Sequence, residues 1–160
     1  MPNQHYRWMV RFAPSRLDAA GHSVVLWVIM TVYGSSDTWT RMLASNLVTV
    51  FVAEFETELM ASCTLAILPN LTRNARSIGW IENVVTRREH RRLGFGSRLL
   101  AVALEAASDA GCYKIMLATG SSNEATLRFY RTAGFRQGDK TFFEVRPSIV
   151  DPRGVRVRPC

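Results

Sequence analysis

The stretch RREHRRLGFG, residues 87–96, stands between a β-branched run and a helical repeat, and it constrains the fold more than any other feature. Before it, IGWIENVVT (78–86) reads as a strand. After it, Leu99, Val102, Ala103, Ala106 and Ala110 recur at helical spacing, and Gly111 supplies the stop. Glycines at 94 and 96 allow a bend closed to other residues and let a ligand approach the backbone. The following helix presents first-turn N–H groups and the positive end of its dipole, a setting suited to phosphate. Arg91 and Arg92 add charge beside it. On these residues alone, a purely steric turn and a phosphate cradle are equally good readings. There is no GxxxxGK[ST], and Gly94, Gly96 and Ser97 do not complete a GxGxxG.

The rest of the chain alternates in the same way. Residues 7–14 predict a first strand ended by Pro14, and Ser15 with Asp18 gives a weak capping signal for a helix over 15–33. Ser36 or Asp37 can cap a second helix ending near Asn46. Residues 47–55 and 58–68 read as a strand hairpin joined by Glu56-Thr57, and 69–77 as a polar loop. A strand over 112–119, a helix over 123–133 and two short strands around Gly138-Asp139 complete a domain spanning 1–147. The basic tail, 148–160, has little to bury and is expected to be disordered or docked on a partner subunit. Strand–helix–strand units beside hairpin-linked strands predict one α/β (α+β) domain, with a mixed, mostly antiparallel sheet flanked by about four helices.

Bulk properties exclude several classes. A hydrophobic fraction of 48% with 21% charged residues is that of a globular chain, not a disordered one. No apolar run approaches the roughly 20 residues a membrane span needs, and no secretory signal is visible, so a cytoplasmic location is expected. Cys63, Cys112 and Cys160 are odd in number and far apart, which argues against both a disulfide framework and a metal site. The net charge of +7 implies anionic partners. No basic helix interleaved with aromatics occurs, so no specific nucleic-acid partner is expected.

Two motifs carry a resemblance. Arg91, Gly94 and Gly96 match the pattern [RQ]-x-x-G-x-[GA]. Downstream, Asn123, Phe129-Tyr130 and Gly134-Phe135 fit N-x-x-x-x-x-[FL]-Y-x-x-x-G-F. Together they resemble the GNAT superfamily, the GCN5-related N-acetyltransferases, over about residues 7–146. "IEN-VV" and "GCYKI" are distantly similar to the glucosamine-6-phosphate N-acetyltransferases, although Asn83 stands where those carry an acid. The resemblance implies acetyl-CoA as co-substrate, no metal, and a homodimer. It also implies that the amides of Arg92, Leu93, Gly94, Phe95, Gly96 and Ser97 hold a pyrophosphate, with Arg91 at its edge. Backbone groups of Val84, Val85 and Thr86 would then meet the pantetheine arm, and Asn123 and Phe129 would complete the coenzyme site.

Acetyl transfer to an amine needs a base for the amine and a proton for the departing thiolate. Glu82 is the candidate base, the alternatives being a solvent-facing carboxylate or one paired with an arginine. Tyr130 is the candidate acid, the alternative being an aromatic that merely packs with Leu127 and Ala133. Asn123 can cap its helix and bind pantetheine at once. Trp39 and Trp80 line an acceptor pocket or fill the core. His90 is set aside as a base because it sits in the arginine run, and His5 and His22 lack context. The expected function is acetyl transfer to the primary amine of a small molecule by direct attack. The alternatives are an acyl-CoA-binding or sensing module and an acetyltransferase acting on protein amines.

Overall fold

The computed structural model describes residues 36–55, 58–138, 141–145, 149–150 and 156–157. The expected strand at 7–14 and helix at 15–33 lie outside the described residues, as do Glu56, Thr57 and Asp139 of the two expected turns. Strands β1 (Val48–Phe55), β2 (Glu58–Leu68), β3 (Ile78–Thr86) and β4 (Lys114–Leu117) form one sheet in that order. The β1–β2 and β2–β3 ladders are antiparallel and β3–β4 is parallel, so the sheet is mixed and mostly antiparallel. Helices α1 (Ser36–Ala44), α2 (Phe95–Asp109) and α3 (Glu124–Thr132) accompany it.

β1 and β2 read as continuous apolar runs because both of their faces are covered. On one face Phe51, Ala53, Cys63, Leu65 and Ile81 pack under Leu99, Leu100, Ala103 and Ala107 of α2. Leu99, Ala103 and Ala107 form a stripe at i, i+4 and i+8 with Leu100 beside it, and each buried leucine there contributes about 1.5–3 kcal/mol. On the other face Val50, Val52 and Leu59 meet Met42 of α1. Arg76 fastens the end of α2, donating from Nε to the Gly111 carbonyl and from Nη2 to that of Cys112, each at 3.3 Å.

β3 changes face halfway along. Val85 stands opposite Ser62 and Glu82 opposite Thr64, so Cys63 alone faces the pair Asn83 and Val84. That two-against-one count is a β-bulge. Asn83 takes φ +52° there, a left-handed conformation that asparagine tolerates better than most residues. Glu82 and Asn83 are consequently both exposed, and Val84 returns to the α2 side. The β4 pairing runs only from Ile78↔Lys114 to Ile81↔Leu117. Beyond Ile81, β3 keeps β2 as its neighbour and has no partner on the other side among the described residues. A notch opens at the carboxyl ends of two parallel strands, the place where open α/β sheets take ligands.

Two expectations need correction. Residues 135–138 and 141–145 form no strand, and Phe142, Phe143 and Val145 are exposed, because this segment has no ladder partner among the described residues. The polar loop at 69–77 contains a left-handed turn, with φ of 57°, 61° and 57° at Arg73, Asn74 and Ala75. Asn70 Nδ2 holds that turn by donating to the Thr72 carbonyl at 2.8 Å. In the tail, Ile149–Val150 pairs antiparallel with Arg156–Val157.

Candidate active site

The turn after β3 is built to leave amides open. Arg88–His90 makes a single 3-10 turn, and Arg92 (φ +65°) and Gly94 (φ +87°) are both left-handed. Gly94 is the N-cap of α2 and has no side chain to cap with. The Arg98 amide donates to its carbonyl at 3.0 Å, starting the helix ladder. Ahead of that bond, the amides of Arg92, Leu93, Gly94, Gly96 and Ser97 take no acceptor among the described residues. Nothing lies within 4 Å of the point where a Cβ on Gly94 would sit. The result is a run of N–H groups at a helix N-terminus facing open space, which suits a diphosphate. Leu93 is exposed, whereas the Phe95 ring is buried in the core.

Gly96 joins this cradle to the rest of the site. A Cβ there would meet Thr86 Oγ1 at 2.9 Å and two carbons of the Phe129 ring at 3.5 and 3.6 Å. The end of β3, the start of α2 and the middle of α3 therefore converge on one glycine. Arg91 tightens the arrangement by donating from Nε to the Thr86 carbonyl at 3.1 Å. That bond makes Arg91 a brace between turn and strand in addition to any contact with phosphate. Val84 is half-buried against the core and Val85 is exposed.

Glu82 stands just past the last β3–β4 pair, and its charge reaches the Tyr130 phenol. Trp80 Nε1 donates to Glu82 Oε1, so the indole holds the carboxylate instead of filling the core alone. The Tyr130 phenol is raised above its usual range by burial first, then by the Glu82 charge and by Cys63. Its ring packs edge-on against Phe129 at 5.0 Å and Phe135 at 6.2 Å. Tyr130 lines a cleft of about 440 Å³ between the end of β4, α3 and residues 135–138, and Glu82 lies outside that lining. A second hollow of about 530 Å³, against Leu104, Ile115 and Gly134, touches none of the expected site residues. Asn123 caps α3, its Oδ1 accepting from the Ala125 amide at 2.8 Å.

Among the other expected residues, His90 is half-buried edge-on to Phe95 at 6.2 Å, on the cradle side. The Trp39 side chain, His5 and His22 lie outside the described residues. Among those described, no cluster of three His, Cys, Asp or Glu could hold a metal. The sequence reading missed the bulge at Asn83 and the buried hydroxyls of Ser62 and Thr64. An asparagine following an acid within a strand is the one local hint of the former.

Comparison with known proteins then bears on the geometry. The Acetyltransferase (GNAT) family profile matches residues 23–135, well over half of the chain. The chain belongs to the GNAT acetyltransferase family. Glucosamine 6-phosphate N-acetyltransferase of Trypanosoma brucei brucei is 31% identical over 126 residues, covering 79% of this chain and 84% of that protein. A solved structure from Agrobacterium tumefaciens str. C58 is 38% identical with a TM-score of 0.69, covering 77% of this chain and 88% of that one. The glucosamine-6-phosphate N-acetyltransferase of Arabidopsis thaliana shares the fold at 22% identity and a TM-score of 0.63, covering 76% and 86%. This GNAT protein is an acetyl-CoA-dependent N-acetyltransferase. No helix among its described residues is long and apolar enough to cross a membrane.

Proposed function

We propose that this N-acetyltransferase acetylates the primary amine of a small molecule by direct attack, with Glu82 as base and Tyr130 as acid. The observation that carries the reading is their convergence: Glu82 sits on the strand just where β4 departs, and its charge acts on the Tyr130 phenol. The coenzyme supplies an acetyl thioester. The amides of Arg92 to Ser97 would hold its diphosphate, with Arg91 beside them. The free β3 edge at Val84, Val85 and Thr86, with Asn123 and Phe129, would hold its arm. The 2.9 Å between Thr86 Oγ1 and the point where a Cβ on Gly96 would sit supports this fit, since a Cβ there would press the helix start away from the strand end.

Glu82 takes the proton that the amine must lose, either directly or through water. Trp80 keeps one carboxylate oxygen engaged and so orients the other. Tyr130 keeps its proton at neutral pH as an ordinary phenol does, and burial raises its phenol further. An ordinary phenol titrates near 10 and an ordinary thiol near 8.5, so full transfer to a thiolate costs about 2 kcal/mol even without that rise. Tyr130 thus stabilises the leaving sulfur mainly by donating a hydrogen bond as charge develops.

The test is a panel of amines followed by thiol release from acetyl-CoA. Glucosamine 6-phosphate comes first because of the 31% identical relative, followed by amino acids, polyamines, aminoglycosides and protein N-termini. Turnover of small amines that collapses in Glu82→Gln supports the reading. Turnover of protein amines alone overturns its acceptor. The reading includes a cytoplasmic location and a homodimer; the exposed Phe142, Phe143 and Val145 support the dimer, and light scattering of the purified protein checks that part.

A further inference from the structure

The core of the sheet contains two hydroxyls that the folded chain leaves without a use. Ser62 and Thr64 on β2 are only 1% and 6% exposed. Their Oγ and Oγ1 atoms have no hydrogen-bond partner among the described residues. An unsatisfied buried hydroxyl costs about 1–3 kcal/mol, and valine would give the same shape as threonine without that cost. Native proteins leave few such groups, and each calls for a partner that the described residues do not supply.

Their positions differ in one respect. Thr64 stands directly opposite Glu82 in the β2–β3 ladder, whereas Ser62 stands opposite Val85. Opposed residues of an antiparallel pair share a face, with Cβ atoms about 4.5–5.5 Å apart. Across the sheet the row therefore runs Val50, Thr64, Glu82, from an apolar side chain to a hydroxyl to a carboxylate. Trp80, two residues before Glu82 and on the same face, occupies Oε1. Oε2 takes no donor among the described residues. Thr64 and Glu82 make no direct hydrogen bond, and opposed polar residues of this kind can be joined through one water.

We propose that Thr64 is a positioning residue whose buried hydroxyl, opposite Glu82 across the β2–β3 ladder, holds the water through which Glu82 takes the proton of the acceptor amine. The water donates one hydrogen to Glu82 Oε2 and the other to Thr64 Oγ1, which turns its lone pair toward the amine. As the amine forms its bond to the acetyl carbon, an N–H bond breaks and that proton passes to the water. The water releases its own proton to Oε2, so one proton moves from nitrogen to carboxylate and the water is regenerated. The inference rests on Glu82 being the base.

The test compares Thr64→Val, Thr64→Ser, Ser62→Ala and Glu82→Gln, using the fastest acceptor of the amine panel. Thr64→Val should lower kcat/KM for the amine about tenfold, leave KM for acetyl-CoA unchanged, and keep or raise Tm. Thr64→Ser should stay within about twofold of wild type. Ser62→Ala, which removes an equally buried hydroxyl away from Glu82, should leave turnover unchanged. Thr64→Val should cost nothing further in the Glu82→Gln background, because both act in one step. If Thr64→Val does not fold, Thr64→Ala removes the same hydroxyl and carries the same test. Wild-type turnover in Thr64→Val beside an impaired Glu82→Gln overturns the role of Thr64 alone. Wild-type turnover in Glu82→Gln overturns the site reading itself. A high-resolution crystal structure with no water in hydrogen-bond reach of both Thr64 Oγ1 and Glu82 also overturns the role of Thr64, whatever the acceptor.

Discussion

Gly96→Ala gives a direct measure of how closely the helix start must approach the strand. A glycine replaced by alanine in a helix ordinarily gains about 0.5–1 kcal/mol, because the unfolded chain loses freedom. Here the new Cβ would sit 2.9 Å from Thr86 Oγ1, while ordinary contact begins at 3.4 Å. Something must yield by about half an ångström, and overpacking of this kind costs about 1–3 kcal/mol. The Phe129 ring at 3.5 and 3.6 Å closes the other side, and Thr86 is a β-branched residue with a stiff χ1. Arg91 also ties its carbonyl to the turn. The yielding element is therefore the first turn of α2, which carries the cradle amides away from their ligand. Losing one hydrogen bond to a charged group, at about 1.5–3 kcal/mol, weakens coenzyme binding about ten- to a hundredfold. Urea midpoints and calorimetric titration with coenzyme A should both show the loss. Thr86→Ala removes the opposing oxygen, so the double variant should recover most of both losses, a coupling of about 1–2 kcal/mol. If Gly96→Ala is neutral or stabilising with unchanged affinity, or if its penalty persists unchanged in the Thr86→Ala background, the reasoning fails.

Glu82→Gln should reduce kcat/KM for the amine by about 10²–10⁴ while leaving the Kd of coenzyme A unchanged by calorimetry. Gly94→Trp should abolish coenzyme binding and leave the domain folded, because the space there is open and the left-handed backbone costs a side chain only about 1–2 kcal/mol; circular dichroism beside calorimetry checks both halves. Because its folded-state pKa is raised, Tyr130 contributes stability that is fully present below its ordinary value of about 10 and lost as pH rises through the folded value. Urea midpoints of wild type should therefore fall in strong alkali more than those of Tyr130→Phe. Burial pushes the Cys63 thiol up to about 12, so a thiol reagent at pH 8 should label Cys63 only as fast as the protein unfolds, as read by mass spectrometry.

The strand–turn–helix unit was legible because every signal in it is local. Gly94 and Gly96 are needed by backbone geometry, and the boundaries of β3 follow the apolar run 78–86 closely. Asn123 as the cap of α3 follows from residue type in the same way. The bulge was not legible, because φ at Asn83 is set by a two-against-one pairing with a strand some twenty residues earlier. Nor were Thr64 and Ser62, whose polarity has meaning only once register places one of them opposite Glu82. The strands expected around Gly138-Asp139 failed for a related reason. Phe142, Phe143 and Val145 have the right side chains, yet they join no ladder and stay exposed, so side-chain type alone did not make a strand. The turn conferred a family resemblance from sequence alone, and long-range pairing decided what the strand beside it presents.

The central claim is that backbone amides at the start of α2 grip the coenzyme. A crystal structure with coenzyme A bound tests it most directly. The account predicts diphosphate oxygens about 2.7–3.2 Å from amide nitrogens between Arg92 and Ser97, with the arm running along the unpaired edge of β3. A diphosphate bound elsewhere, with those nitrogens turned onto carbonyls of the chain, would contradict it.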